Sequence, residues 1–160
     1  MPTVASFVSE KGGTGKTVSC YHIAIALERF HGKRVLVIDA DYQRGGITGR
    51  FFPELIENFD EGHMKGTTIF HKFQQLYSAS NPSWDVDIIE FTSGIDLIPS
   101  DPRLSRVTVD KLPSQNNIKE NNKSMLNHMQ VMTNIISNLE DNYDFVFIDS
   151  HPEISDVLRC

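Results

Sequence analysis

The chain has 160 residues, 39% of them hydrophobic and 22% charged, and a formal net charge of −6. That length fits one compact domain, the hydrophobic content excludes wholesale disorder, and the acidic balance argues against a dedicated nucleic-acid-binding domain. The longest apolar runs, Ile23 to Leu27 and Phe145 to Ile148, fall far short of the roughly 18 residues a membrane span needs. There is no signal-peptide core, and the two cysteines, Cys20 and Cys160, cannot form a disulfide framework, so the expected location is cytoplasmic.

Val4 to Val8 reads as a short buried strand followed by a glycine-rich turn. A helical pattern then runs from about Lys16 to Arg29, placing Ile23, Ala26, Leu27 and Phe30 on one face, with His31-Gly32 as its stop. Val35 to Ile38 is a fully apolar second strand ending in Asp39-Ala40-Asp41. From Thr48 to Trp84 the pattern is mixed, with helix expected over Phe51 to Phe59 and Thr67 to Tyr77. Val86 to Phe91 and Ile95 to Ile98 read as a hairpin joined at Ser93-Gly94, and Leu112 to Asn122 as a loop. Helical spacing returns over Ser124 to Leu139 through Met125, Met129, Met132, Ile135 and Ile136, a stripe read as core. Phe145 to Ile148 is the last strand and also runs into an aspartate, Asp149. Continuous apolar strands alternating with amphipathic helices predict an α/β fold, a doubly wound and mostly parallel sheet covered on both faces. The chain stops eleven residues after Asp149, which suggests that residues 1–160 are the front part of a longer protein.

The strongest chemical signal is Lys11-Gly12-Gly13-Thr14-Gly15-Lys16-Thr17, set between the first strand and the first helix. Glycines there let backbone N–H groups turn inward around phosphates, and the helix N-terminus adds partial positive charge. Lys16 can reach β- and γ-phosphates, and the Thr17 hydroxyl can ligate Mg²⁺. In the usual phosphate-loop pattern the first position is glycine; here it is Glu10, followed by a second lysine, Lys11. Asp39, Asp41 and Asp149 end strands at the sheet edge where α/β proteins bind ligands. Carboxylates there can hold Mg²⁺ and orient a water on a γ-phosphate.

These motifs resemble the ParA/MinD family of deviant Walker A ATPases, most closely the ParA-type partition ATPases. Lys11 to Thr17 is similar to the family's K-G-G-x-G-K-[ST] loop, with Lys11 at its signature lysine. Asp39-Ala40-Asp41-Tyr42-Gln43 resembles D-x-D-P-Q with Tyr42 in place of proline, and Thr48 sits where a switch threonine often follows. Gly94 to Ser100 resembles G-L-D-L-I-P-S, and Tyr143 to Asp149 the Walker B strand, after which Ser150-His151-Pro152 keeps one of two prolines.

The resemblance implies an ATP-hydrolysing P-loop domain with ATP and Mg²⁺ as cofactors. It places nucleotide on Lys11, Gly12, Gly13, Thr14, Gly15, Lys16, Thr17 and Val18, and the metal on Thr17, Asp39 and Asp149. Lys11, Lys16 and Asp41 are its catalytic residues, with Asp41 positioning the attacking water and Lys11 reaching the phosphates of a partner subunit in an ATP-dependent homodimer. It further implies a partner protein that stimulates hydrolysis, and non-specific DNA bound through residues not in this chain. A MinD-like, membrane-associated regulator of cell division and a metal-cluster carrier share the loop. Asp41 and Gln43 lean toward the ParA branch, no membrane signal is seen, and neither cysteine sits where a cluster ligand would.

Overall fold

The computed structural model describes residues 1–9, 11–44, 46–78, 81–107, 130–139 and 142–151. The loop expected over 112–122, Met125 and Met129 of the last helical pattern, Pro152 and Cys160 lie outside the described residues. Five strands, β1 (Thr3–Phe7), β2 (Val35–Asp39), β3 (Ile89–Thr92), β4 (Ile95–Ile98) and β5 (Phe145–Asp149), form one sheet in the order β1-β5-β2-β4-β3. Every pairing is parallel except β3 with β4, which is the expected hairpin, shorter at its start and carrying a bulge between Glu90 and Thr92. The Thr92 hydroxyl closes its turn by accepting from the Ile95 N–H at 3.1 Å.

Side chains alternate along each strand, and both faces of β2 and β4 are covered, whereas the first strand, expected to be buried, is exposed at Thr3, Val4 (48%) and Ser6. On β2, Val35 and Val37 point into one core with Ile95, Leu97 and Phe147. Leu36 and Ile38 point into the other with Ile98, Val146 and Ile148. The first core is closed by α1 (Lys16–His31) and α2 (Ile47–Phe51), through Cys20, Ala24, Ile47 and Phe51. The second is closed by α4 (Ile69–Ser78) and α5 (Val131–Leu139), through Ile69, Phe73, Val131, Met132 and Ile135. All five β2 residues are fully buried, as a central parallel strand requires. The doubly wound, mostly parallel fold expected from the sequence is the one observed.

Two further local expectations are corrected. The face of α1 read as core is only partly the buried one: Leu27 packs against the core, but Ile23 is 44% and Phe30 74% exposed, while Cys20 and Ala24, outside the expected face, are completely buried. Cys20, Ala24 and Leu27 form an equally regular stripe at helical spacing and pack against the core beneath the helix. The helix expected over Phe51 to Phe59 is broken into α2, a 3₁₀ turn (Pro53–Leu55) and α3 (Ile56–Asp60), since Pro53 supplies no N–H to continue α2. The stop at His31-Gly32 holds: Gly32 takes a left-handed φ of 59° and returns its N–H to the Glu28 carbonyl.

Candidate functional site

The loop from Lys11 to Gly15 links β1 to α1 at the carboxyl end of the sheet. Gly13 and Gly15 have φ of 75° and 85°, left-handed values that disfavour any side chain. Gly15 is the N-cap of α1, and its carbonyl accepts from the Ser19 N–H at 2.8 Å. A Cβ on Gly12, Gly13 or Gly15 would meet nothing within 4 Å, so these glycines serve the open space beside them and not internal packing. That space is a cavity of about 310 Å³, lined by Gly12 through Val18 on one wall and by Asp41, Gln43 and Arg50 on the other.

The three aspartates at this edge are brought together but do different things. Asp39 and Asp149 face each other directly in the β2–β5 register, and both are completely buried. Asp39 is fully engaged. Its Oδ2 accepts from the Thr48 N–H at 2.8 Å and hydroxyl at 2.6 Å, and its Oδ1 accepts from the Asp41 N–H at 3.0 Å. Thr48 Oγ1 in turn accepts from the Ser100 N–H at 3.0 Å, and the Ser100 hydroxyl donates to the Asp41 carbonyl at 2.6 Å. Asp39 does not line the cavity; it braces Asp41, which does, at 7% exposure. Gly46 is part of the brace, since a Cβ there would come within 2.9 Å of Asp39 Oδ2.

Asp149 is the opposite case. Both carboxylate oxygens are buried, and neither meets the geometry of a hydrogen bond among the described residues. The Thr17 hydroxyl is close enough to favour the charged form, as are Lys16 and Arg50 at longer range, but burial and the Asp41 charge push its pKa up to about 6. Burial, strengthened by Asp149, pushes Asp39 up to about 8 against the pull of Thr48 and the Asp41 N–H. Burial also raises Asp41, opposed by the Gln43 N–H and by His151 and Lys16. Two facing buried carboxylates, one with no hydrogen-bond partner of good geometry among the described residues, are a costly arrangement without a cation. Among the residues present, Thr17 and Asp149 fit a hard divalent ion with oxygen ligands.

Beside Asp41, the Tyr42 ring stacks on His151, with centroids 4.4 Å apart and planes 16° from parallel. Tyr42 stands where the resemblance expects proline, and the stack ties the chain after β2 to the chain after β5. Lys11 is exposed and does not line the cavity; its carbonyl and N–H make local turn contacts with Ser9 and Thr14. Ser100 and Arg50 were not among the expected site residues. Ser100 was legible as part of the I-P-S segment at the end of β4; Arg50 carried no motif, only its place in the helix that follows the acidic end of β2.

A glycine-rich loop at a helix N-terminus, facing carboxylates across the edge of a doubly wound sheet, defines a P-loop α/β protein. A family model described as an AAA domain matches residues 2–159, and the chain belongs to that family. A ParA family protein of Chlamydia muridarum is 31% identical over 146 residues, which are 91% of this chain and 49% of that protein. The chain thus spans about half the length of the curated relatives it matches. A plasmid partition protein of Borrelia burgdorferi has the same fold, with a TM-score of 0.70 and 24% identity over 99% of this chain and 60% of that one. A second Borrelia burgdorferi structure, bound to AMPPNP, superposes with a TM-score of 0.68 and 24% identity, covering 99% of this chain and 56% of that one. A cobyrinic acid a,c-diamide synthase of Mycobacterium smegmatis, with ADP and magnesium, matches at a TM-score of 0.68 and 20% identity, covering 99% and 55%. At these identities the structural likenesses establish the fold. No helix among the described residues is long and apolar enough to cross a membrane.

Proposed function

We propose that residues 1–160 form the nucleotide-binding core of a ParA-type partition ATPase, which binds Mg²⁺-ATP and hydrolyses it to ADP and phosphate. The observation that carries this reading is the cavity between the Gly12–Val18 wall and Asp41, together with the buried Asp149 carboxylate at the same sheet edge, which has no hydrogen-bond partner among the described residues. Backbone N–H groups of Gly12 to Thr17 and the start of α1 receive the phosphates, and Lys16 pairs with the β- and γ-phosphates. Thr17 and Asp149 would hold Mg²⁺, and Asp39 supports the arrangement by fixing Asp41 and Thr48. When bound, Mg²⁺ supplies charge neutralisation on the phosphates. Asp41 orients the attacking water.

Lys11, exposed and not lining its own cavity, reaches the phosphates of a second subunit in an ATP-dependent homodimer. Facing nucleotides concentrate negative charge in a dry interface, where a donated lysine supplies charge and a hydrogen bond. ADP lacks the terminal phosphate and holds the dimer less well, so hydrolysis times its separation. A partner protein stimulates turnover, DNA contacts lie outside this chain, and the setting is cytoplasmic. Calorimetry on the full-length protein tests the central assignment. Lys16→Ala should weaken ATP binding by about 30-fold or more, the cost of removing one partner of a charged pair. Unchanged affinity would refute the phosphate site.

A further inference from the structure

We propose that Arg50 is a catalytic cation supplied by the same chain, contacting the terminal phosphoryl group of the bound nucleotide; this rests on the nucleotide reading above. Arg50 stands on α2 and lines the cavity on the wall shared with Asp41 and Gln43, opposite the glycine-rich loop. It makes no ion pair among the described residues. Arg44, by contrast, meets Asp60 at 3.2 Å and Arg103 meets Asp101 at 2.6 Å. An exposed arginine lining this cavity, uncommitted to any described carboxylate, is available to a ligand that brings its own negative charge.

The backbone beneath Arg50 is held firmly, as a positioning cation requires. Asp39 grips both the N–H and the hydroxyl of Thr48, two residues before Arg50. Ile47, Thr48 and Phe51 are buried, and a Cβ on Gly49 would come within 3.2 Å of Ile56 and 3.4 Å of the Arg44 carbonyl. The reach of its charge is visible in Asp149, whose ionised form Arg50 favours. Arg50 therefore shares the cavity with Asp41, the residue proposed above to orient the attacking water.

In the hydrolysis proposed above, a water oxygen bonds to the terminal phosphorus as the bond from that phosphorus to the bridging oxygen breaks. The electron pair leaves with ADP, and the proton lost by the water ends on the released phosphate. Negative charge spreads over the equatorial and bridging oxygens at the midpoint. A guanidinium stays protonated throughout and presents a planar fork of N–H donors, so it stabilises that charge without taking part in the proton transfer.

The test compares Arg50→Ala, Arg50→Lys and Lys16→Ala in the full-length protein. Single-turnover hydrolysis is measured beside calorimetric affinities for Mg²⁺-ATP and for ADP with aluminium fluoride, a mimic of the transferring phosphoryl group. Arg50→Ala should slow hydrolysis by about 10²–10³-fold, the usual effect of deleting one preorganised donor. Its ATP affinity should move less than about tenfold, and it should lose more affinity for the fluoride complex than for ATP. Arg50→Lys, which keeps the charge but not the fork, should fall between. Normal hydrolysis by Arg50→Ala beside an inactive Lys16→Ala overturns the inference alone, as do equal losses of rate and ATP affinity. Unchanged ATP binding by Lys16→Ala overturns the nucleotide reading and this inference with it.

Discussion

The ends of β2 and β5 present the same residue at the same edge, and the two aspartates have opposite surroundings. Asp39 and Asp149 are register partners with no exposed surface, yet Asp39 accepts three hydrogen bonds and Asp149 none among the described residues. A buried carboxylate is retained when its oxygens are satisfied from within, or when something from outside satisfies them. On that ground Asp39 is satisfied from within the fold, and the role proposed for Asp149 is to meet a bound cation. Sequence motifs treat both as metal residues; only the hydrogen bonds separate them.

Substitutions at the two positions should therefore differ in kind. Asp39→Ala strips partners from two buried N–H groups and one hydroxyl, and at about 1–3 kcal/mol for each unsatisfied group it should cost roughly 3–5 kcal/mol in urea unfolding. Asp149→Asn should do the reverse for the ligand-free protein. A carboxyl raised from its ordinary value near 3.8 to about 6 binds more protons folded than unfolded. Its contribution to stability is full below the ordinary value and is lost as pH rises through that interval, at up to about 3 kcal/mol. Removing the charge should flatten the decline in unfolding free energy between pH 4 and 6 and stabilise the ligand-free protein above it. A steeper decline in the variant would reverse the assignment.

Smaller effects sharpen the comparison. Thr48→Val deletes the hydroxyl that donates to Asp39 and accepts from Ser100, and should lower stability by about 1–3 kcal/mol. It should leave the pH dependence attributed to Asp149 in place. His151→Ala removes the stack on Tyr42 and should cost about 0.5–1.5 kcal/mol beyond the area lost. In steady-state assays its effect should fall on turnover more than on ATP affinity, because the stack adjoins Asp41 and not the phosphate loop.

What could be read from the sequence follows the range of the interactions. The strand–glycine–helix unit, the buried β2, the hairpin and the acidic strand ends are set by near neighbours, and all appear in the fold. The start of α2 could not be read locally, because Asp39, nine residues upstream, accepts the Thr48 N–H. The buried face of α1 was ambiguous because Ile23 and Phe30 compete with Cys20, Ala24 and Leu27 at the same helical period. Arg50 lines the cavity from α2, at a position no local pattern marks. The separate uses of Asp39 and Asp149 depend on where Thr48 lies, which no spacing along one strand records.

The most direct test of this account is a calorimetric titration of ATP into the parent protein and Asp149→Asn, each with and without Mg²⁺, after urea unfolding has shown the variant to be folded. The account predicts that Mg²⁺ strengthens ATP binding by the parent and has little effect on the variant, whose ligand-free stability is equal or higher. An equal Mg²⁺ response in the two proteins would contradict it, and would place the cation somewhere other than the end of β5.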